Sequence, residues 1–295
     1  MKLVTMADWH LRSTPPTIRK DKDFHLAQTK KVQQIVDIAN DNDAILVIPG
    51  DLFDSVRVGY QLVYSVMEKF RDVERGVIIT GGNHCVYFHN PDIVTSPLGM
   101  LNYLDNVTVL DGQMEVDGVV FTGAFFEQEP MKPVEGKINI LVYHVSVYEK
   151  EVPFFMEGRA FTAKSLKRKY QGFDYYCTGD IHIPFTDGSI VNSGSLIRDN
   201  VNHVDYEPRV YLIDTDEDTV MPVFIDIDKD VFNSISKDTD LDDSEYAIEL
   251  DKLIASMKTT QDIPKYDDVC LELAKDDDEV TTIFKETFDE LRQSA

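Results

Sequence analysis

The stretch AILVIPGDLFD, residues 44–54, decides the fold of this chain. Its first six residues are apolar, which is typical of a strand buried on both faces of a parallel sheet. The run stops at Gly50-Asp51, so an acidic side chain follows directly on a buried strand. Helical spacing of apolar residues on both sides, over 24–41 and 59–71, predicts a strand between two helices.

The rest of the first 228 residues continues this alternation and then becomes rich in strands. Strands that alternate with helices early and cluster later predict an α/β core with mixed sheets. The last two strands, in PRVYLIDTDE and TVMPVFIDI, indicate a hairpin. Further strands are predicted at 2–6, 76–84, 107–110, 116–125, 138–144 and 189–195, a strand followed by a turn at 173–182, and a short helix at 161–170.

The composition changes after residue 228. Residues 1–228 are predicted to form one domain, and 229–295 an acidic linker with two amphipathic helices, at 244–258 and 279–292. From residue 230 onward the chain has 19 acidic and 7 basic residues. We expect the apolar faces of the two helices to dock on a basic partner. Packing of these helices back on the core is the alternative.

Bulk composition excludes some classes of protein. The formal net charge of −24 over 295 residues repels phosphate backbones, which argues against nonspecific nucleic-acid binding by the whole surface. The sequence contains no run of about 18 apolar residues, and the N-terminal residues do not resemble a signal peptide. Its three cysteines are far apart. We therefore expect a reduced, cytoplasmic protein without a membrane span.

Polar side chains of metal-ligand type follow five of the predicted strands. In open α/β sheets, ligands gather outside the carboxyl ends of the strands. Any one of these histidines could be an ordinary buried or turn residue, but five strand ends of the same kind need a common explanation. The candidates are Asp8 and His10, Asp51, Asn83 and His84, His144, and Asp180 and His182.

The ligand set indicates which metals could bind. Aspartate, histidine and asparagine without cysteine suit Mn, Fe, Zn or Mg. The set is larger than one ion needs. Two ions roughly 3.5–4 Å apart, bridged by a carboxylate, would use it fully and would suit in-line phosphoryl displacement. We expect two divalent ions, with Mn favoured and Mg, Fe or Zn as alternatives.

In chain order, the blocks DWH, GDLFD, GGNH, an apolar strand ending in His, and GDIH resemble the calcineurin-like metallophosphoesterases. Within that superfamily, ADWHLR and VNSGSLIR resemble the SbcD-type nuclease subunits of DNA double-strand-break repair. The resemblance covers about residues 1–228. It implies a four-layer αββα sandwich with two mixed sheets, here with a short helical C-terminal appendage. It also implies DNA as substrate, an SbcC-type SMC-like ATPase as partner, and in many members a homodimer.

The resemblance also implies roles for the candidate residues. Asp51 would bridge the two ions. His84 would face the leaving group and help to protonate it. The first ion would be held by Asp8, His10, Asp51 and His182, and the second by Asp51, Asn83, His144 and Asp180.

The sequence departs from the family pattern at two places. GDIH stands where relatives have Gly-His-x-His, so Asp180 replaces an imidazole and adds a third carboxylate around the two metal ions. More negative charge there should weaken the acidification of bound water and favour Mn or Mg. Cys85 stands where the nuclease branch has an aspartate after Gly-Asn-His. Cys85 could be a metal ligand, but the neighbouring Asn83 and His84 already supply the expected geometry.

A basic run on the short predicted helix is a candidate DNA contact. It would concentrate affinity for phosphate in an otherwise acidic protein. A solvated helix face is the alternative explanation. The run consists of Lys164, Lys167, Arg168 and Lys169.

Three functions therefore compete. The favoured one is a metal-dependent DNA exonuclease or endonuclease subunit that acts with an SbcC-type ATPase in repair, recombination or replication. The second is a stand-alone phosphoesterase on nucleotides or other small phosphate esters, which the acidic surface supports. The third is a scaffold without activity, which the altered GDIH and GNHC blocks would permit, although the other ligands are intact.

Overall fold

The structure is a computed structural model that describes residues 1–86, 92–199, 203–228 and 231–232. The chain divides into two units, Met1–Ser236 and Lys237–Ala295, and every described residue lies in the first. The predicted helices at 244–258 and 279–292 lie outside the described residues. The domain boundary after residue 228 therefore stays a prediction.

The described residues form four helices and fourteen strands. Two short 3-10 turns, Ile93–Thr95 and Phe154–Met156, lie between them. The helices are α1 (Phe24–Asp41), α2 (Tyr60–Arg71), α3 (Pro97–Leu101) and α4 (Ala163–Lys169). The strands are β1 (Lys2–Thr5), β2 (Ala44–Pro49), β3 (Val77–Thr80), β4 (Val107–Val109), β5 (Gly112–Val116), β6 (Val119–Ala124), β7 (Ile138–Tyr143), β8 (Val147–Tyr148), β9 (Phe161–Thr162), β10 (Tyr175–Thr178), β11 (Phe185–Thr186), β12 (Ile190–Asn192), β13 (Arg209–Asp214) and β14 (Thr219–Phe224).

Two six-stranded mixed sheets form the centre. The first has the order β14-β13-β1-β2-β3-β4, and the second has the order β11-β12-β10-β7-β6-β5. In the first sheet, β1 to β4 are parallel, and the β13–β14 hairpin joins β1 in antiparallel fashion. In the second sheet, β6, β7, β10 and β12 are parallel, with antiparallel β5 and β11 at the edges. The prediction of mixed sheets is confirmed.

Alternation along the central strands sorts the core into layers. In β2, Ile45 and Val47 pack with residues of the second sheet such as Phe121, whereas Leu46 and Ile48 pack under the first three helices. A third cluster places Leu166 of α4 against the outer face of the second sheet. Successive side chains of a strand point to opposite faces, and the result is the expected helix–sheet–sheet–helix sandwich.

Local signals explain most element boundaries. The carboxylate of Asp23 caps α1 by accepting a hydrogen bond from the backbone N–H of Leu26 at 2.8 Å. Thr162 and Ser165 form a capping box that starts α4. The helices predicted at 24–41 and 59–71 are confirmed, the second with Gly59 as its N-cap.

Several predicted strands are longer than the observed ones, and two further predictions of extent are wrong for a clear reason. Residues 116–125 are not one strand, because Asp117 and Gly118 have φ of 48° and 84° and form a two-residue turn between β5 and β6. The helix predicted at 161–170 loses its first two residues to β9, where Phe161 pairs with Val147. Among the described residues, no helix has the length and apolar character needed to cross a membrane.

Candidate metal centre

The candidate ligands lie at the carboxyl ends of parallel strands in both sheets. Asp8 and His10 follow β1, Asp51 follows β2, and Asn83 follows β3 of the first sheet. From the second sheet, His144 follows β7, and Asp180 and His182 follow β10. Because the two sheets pack face to face, these ends meet at one edge of the sandwich. The structure therefore brings all seven predicted ligands together.

Several of these residues hold a left-handed backbone conformation. The φ angles are 54° at Asp8, 45° at His10, 47° at Asp51 and 84° at Asp180. Asp and His tolerate this region better than most residues, yet it is uncommon outside glycine and clusters at functional sites. Hydrogen bonds between the two chain turns hold it, such as that from the His10 N–H to the Asp51 carbonyl at 3.0 Å.

Glycines make room for the ligands. A Cβ at Gly82 would lie 2.1 Å from Oδ1 of Asp51, and a Cβ at Gly50 would lie 2.3 Å from Nδ1 of His144. Both contacts are far shorter than any van der Waals approach. The glycines in the GGNH and GD blocks thus let the backbone approach the carboxylate and the imidazole.

The first group of ligand atoms surrounds a point between Asp8, His10 and His182. The two Nε2 atoms of His10 and His182 lie 3.1 Å apart. Each lies 3.9 Å from Oδ1 of Asp8, and His10 Nε2 lies 3.8 Å from Oδ2 of Asp51. These three residues are one of the described groups whose ligand atoms lie within 4.8 Å of one another.

The second group surrounds Nε2 of His144. Asn83 Oδ1 lies 3.0 Å away, Asp51 Oδ2 3.3 Å, Asp180 Oδ1 3.8 Å and Asp8 Oδ1 4.0 Å. Asp51 therefore faces both groups, which is the position that a bridging carboxylate needs.

The lone pairs in this cluster fit a cation. His144 Nδ1 donates to the carbonyl oxygen of Pro49 at 2.8 Å, so Nε2 of the neutral ring carries a lone pair. That lone pair faces oxygens of Asn83 and Asp51. Lone pairs at these distances repel one another unless a proton or a cation lies between them. The chain's own donors thus fit a divalent ion, and hard oxygen and imidazole ligands suit Mn, Fe, Zn or Mg.

Charges in the cluster shift one another's pKa. Burial raises the pKa of Asp8 to about 7. Burial alone would lower the pKa of His144, but attraction to Asp51 raises it to about 10. Although burial opposes this, His144 holds the pKa of Asp51 well below its usual range. Burial, aided by His10, lowers the pKa of His182 to about 4. Shifts of this size cluster at functional sites.

Asp180 is the acid of the GDIH block. Its N–H donates to both carboxylate oxygens of Asp8, at 3.1 and 2.9 Å. One of its own oxygens, Oδ2, accepts a hydrogen bond from the hydroxyl of Ser146. The other oxygen faces His144 and so can ligate an ion. Its assignment as a ligand stays a prediction, as do the roles of the other six.

His84 lies beside the cluster with its side chain exposed. Its backbone N–H donates to Oδ1 of Asp51 at 2.9 Å, and its Nδ1 donates to the carbonyl oxygen of Asp54 at 2.9 Å. Nε2 is then the atom that can exchange a proton with a substrate. His84 also falls in a group with His10 and Asp51 whose ligand atoms lie within 4.8 Å, so the same geometry would permit ligation.

Sequence reasoning missed two residues that position this cluster. Oδ1 of Asp54 lies 3.3 Å from Nδ1 of His10, and this hydrogen bond lowers the pKa of Asp54. Ser146 holds Asp180. Both had a signal in the sequence, because Asp54 closes the GDLFD block and Ser146 stands two residues after His144, where alternate side chains share a face.

Cys85 and the basic run contribute no side chain to the described groups of ligand atoms. Cys85 is buried in the core under the helices, and burial raises the pKa of its thiol to about 12. Within the described residues, it belongs to none of the candidate ligand groups. In the basic run, Lys167 pairs with Asp187 and Lys169 with Glu129, both at 2.6 Å. No described hydrogen bond or ion pair joins Lys164, Lys167, Arg168 or Lys169 to the cluster.

Comparison with known proteins gives a family and a fold. A family model described as calcineurin-like phosphoesterase matches residues 1–184. A comparison with the curated proteins found no match. The protein TT1561 of Thermus thermophilus has a TM-score of 0.50 and 9% identity, over 76% of this chain and 99% of that one. A structure described as a novel archaeal phosphodiesterase has a TM-score of 0.41 and 15% identity, over 76% and 100%. At 9% identity, the likeness to TT1561 supports the fold alone.

Proposed function

This chain belongs to the calcineurin-like phosphoesterase family, and from that premise we propose that it is a metal-dependent phosphodiesterase that cleaves DNA. The observation that carries the proposal is the cluster at the sandwich edge, where seven ligand-type side chains converge from five strand ends. Asp51 stands between the two groups, within 3.8 Å of His10 and 3.3 Å of His144.

The residues divide into two ion positions with one shared carboxylate. Asp51 would be shared. When bound, the two ions would activate a water molecule and offset charge on the phosphoryl oxygens. The first position would use Asp8, His10, Asp51 and His182, and the second would use Asp51, Asn83, His144 and Asp180.

The chain's own side chains then orient the imidazoles and supply a proton. Asp54 fixes His10 through its carboxylate and His84 through its backbone carbonyl. Because Nδ1 of His84 is committed to that carbonyl, Nε2 is the atom that would protonate the leaving oxygen. A positioned acid of this kind contributes roughly 10²- to 10⁴-fold to rate.

DNA as substrate rests on sequence blocks more than on the surface. ADWHLR and VNSGSLIR resemble the SbcD-type nucleases, and the site lies at an open edge with His84 exposed. The net charge of −24 favours the second candidate, hydrolysis of small phosphate esters. Lys164 and Arg168 remain candidate DNA contacts, whereas Lys167 and Lys169 would first have to leave their acidic partners.

We further propose an SbcC-type ATPase as partner, docked through residues 229–295, and a cytoplasmic homodimer as the assembly. Deleting residues 235–295 should abolish co-purification with a co-expressed ATPase while leaving metal content intact. The deletion keeps Phe232, whose ring lies near the guanidinium groups of Arg19 and Arg198. Retained co-purification would refute docking through this segment.

The reaction itself can be tested with two substrates. The protein is incubated with Mn²⁺ and labelled linear and single-stranded DNA, and in parallel with bis(p-nitrophenyl) phosphate. We expect cleavage of both, and loss of both in Asp51→Asn. Hydrolysis of the small ester with untouched DNA would contradict the nuclease proposal and favour the second candidate. If neither substrate reacts while ions bind, and an added ATPase does not restore cleavage, the chain is a scaffold.

A further inference from the structure

A second group of charged side chains lies in a groove of about 1120 Å³ along α1, apart from the metal cluster. Its basic lining residues include Arg19, Lys31 and Arg198, which are 8%, 8% and 1% exposed. Such burial is rare for lysine and arginine unless an acid or another anion accompanies them. The three cations are therefore the feature that needs an explanation.

Lys31 has no carboxylate partner in the described part of the chain. Its ammonium donates to the carbonyl oxygen of Leu196 at 3.1 Å, which satisfies one of its three N–H bonds. Burial, together with the charges of Arg198 and Arg19, lowers the pKa of Lys31 to about 7. The ammonium of Lys31 thus keeps two N–H bonds without an acceptor among the described contacts.

The two arginines donate hydrogen bonds to Asp21 and to backbone carbonyls near Lys31. Arg19 forms a bidentate pair with Asp21 at 2.7 Å and donates to the carbonyl of Arg198 at 3.2 Å. Arg198 donates to the carbonyls of Val204 and Asp228. Nε of Arg198 is buried without a hydrogen-bond partner among the described residues. An unsatisfied charged donor at this depth is costly and calls for an acceptor.

Among the three buried cations, Arg19 forms an ion pair with Asp21. Lys31 and Arg198 feel the charge of Asp21 as well, and Arg198 that of Asp228 and Asp205. The groove also contains Lys20, Lys22 and Lys30 among its lining residues, together with acids nearer its rim. An anion with several acceptor oxygens would satisfy Nε of Arg198 and the remaining N–H bonds of Lys31 together.

We propose that this groove binds a phosphate-class oxyanion on Lys31 and Arg198. Arginine and lysine are the side chains that recognise phosphate, the first through its planar fork and the second as a point charge. The site is distinct from the metal centre. The phosphate could belong to a free nucleotide or to a DNA backbone, and these sources share the chemistry that the site recognises.

One residue connects this groove to the metal centre. The N–H of Leu196 donates to the carbonyl oxygen of Asp8 at 3.0 Å, and its own carbonyl accepts from Lys31. The Ser193 hydroxyl in the same segment accepts from the N–H of Ala7 at 2.9 Å. The backbone that supports Asp8 is therefore also the backbone that Lys31 binds.

The proposal is tested on metal-free protein by titration calorimetry with inorganic phosphate at constant ionic strength in chloride. Removal of metal excludes phosphate binding at the metal centre, so the result does not depend on the hydrolytic function. We expect saturable binding with one phosphate per chain. In Lys31→Met, binding should weaken roughly tenfold or more, the loss of a hydrogen bond to a charged group. In Lys30→Met, an exposed neighbour in the same groove, binding should be unchanged.

Absence of saturable binding, or equal binding in Lys31→Met, would overturn the proposal. Lys31→Met removes a buried charge that lacks an acid, so we expect this variant to fold. A thermal melt in chloride checks the fold, and Arg198→Lys gives an independent variant with the charge retained and the fork removed. A single-stranded oligonucleotide without terminal phosphate distinguishes the sources. If this oligonucleotide competes with inorganic phosphate, the site recognises a DNA backbone. If it does not compete, the site recognises a free phosphate compound.

Discussion

Oδ1 of Asp180 lies 3.8 Å from Nε2 of His144, while its other carboxylate oxygen accepts a hydrogen bond from Ser146. Oδ1 of Asp180 can therefore ligate an ion while Ser146 holds Oδ2 in place. It also places a third carboxylate beside Asp8 and Asp51. The metal centre is thus more negative than one with histidine at position 180.

Asp180→His should raise turnover in Mn²⁺ at neutral pH, on the order of tenfold. Removing a carboxylate from the cluster favours ionisation of the attacking water, and histidine tolerates the left-handed backbone at this position. The measurement is a pH–rate profile on bis(p-nitrophenyl) phosphate, where we expect the rise to move to lower pH. Asp180→Asn is the control that removes charge at constant size. An unchanged rate with unchanged ion content would show that Asp180 does not contact an ion.

Ser146→Ala should weaken metal binding by about 10- to 100-fold, the usual cost of losing a residue that orients a ligand. The hydroxyl holds Oδ2 of Asp180, so its loss frees the carboxylate to rotate away from His144. Mn²⁺ affinity is measured by calorimetry, with Ser189→Ala, a serine outside the cluster, as control. Equal affinity in Ser146→Ala and the native chain would contradict a supporting role for Ser146.

His84→Ala should keep both ions and lose about 10²- to 10⁴-fold in turnover, the typical contribution of a general acid. Nδ1 of His84 is fixed by the carbonyl of Asp54, which leaves Nε2 for the leaving oxygen. Ion content and rate are measured together, and His25→Ala serves as a histidine control outside the cluster. If His84→Ala loses an ion, His84 is a ligand and the proton must come from elsewhere.

Lys31 should make stability depend on pH. Its pKa is about 7 in the folded chain, against an ordinary value of 10.5. Between these values the unfolded chain holds the extra proton, so the contribution of Lys31 to stability increases as pH rises. The unfolding free energy of the native chain should rise relative to that of Lys31→Met by up to about 1.4 kcal/mol per pH unit above pH 7.

Urea denaturation of metal-free protein in phosphate-free buffers, from pH 6 to 9.5, measures the gap between these two free energies. At pH 6 we expect Lys31→Met to be the more stable of the two, because both states of the native chain are then protonated and the folded one keeps a buried charge. Lys30→Met should show a gap that does not change with pH. A constant gap for Lys31→Met would contradict the effect of Arg19, Arg198 and burial on Lys31.

Much of the fold was predictable, because its central strands are runs of apolar residues and its first two helices place apolar residues at helical spacing. The ends of these strands also predicted which side chains would meet, since parallel strands deliver their carboxyl ends to one edge. The Asp117-Gly118 turn was missed although Asp-Gly between two strands is a strong hairpin signal. The strand β9 was missed because Phe161 is equally compatible with the start of a helix.

The contacts that could not be predicted join distant segments of the chain. The hydrogen bond from Ser146 to Asp180 joins residues 34 apart in sequence, and that from Lys31 to Leu196 joins residues 165 apart. Neither pair has a spacing that a local pattern can detect. The acidic partners of Lys167 and Lys169 are likewise distant in sequence. Because these partners offset the two charges, they weaken the case that the basic run contacts DNA.

The most direct test of the metal centre is anomalous scattering from crystals grown with Mn²⁺. The arrangement of Asp8, Asp51, His144 and His182 predicts two anomalous peaks, one on each side of the Asp51 carboxylate, with Asp180 contacting the one nearer His144. A single peak, or two peaks that do not share Asp51, would contradict a two-ion centre built from these five strand ends.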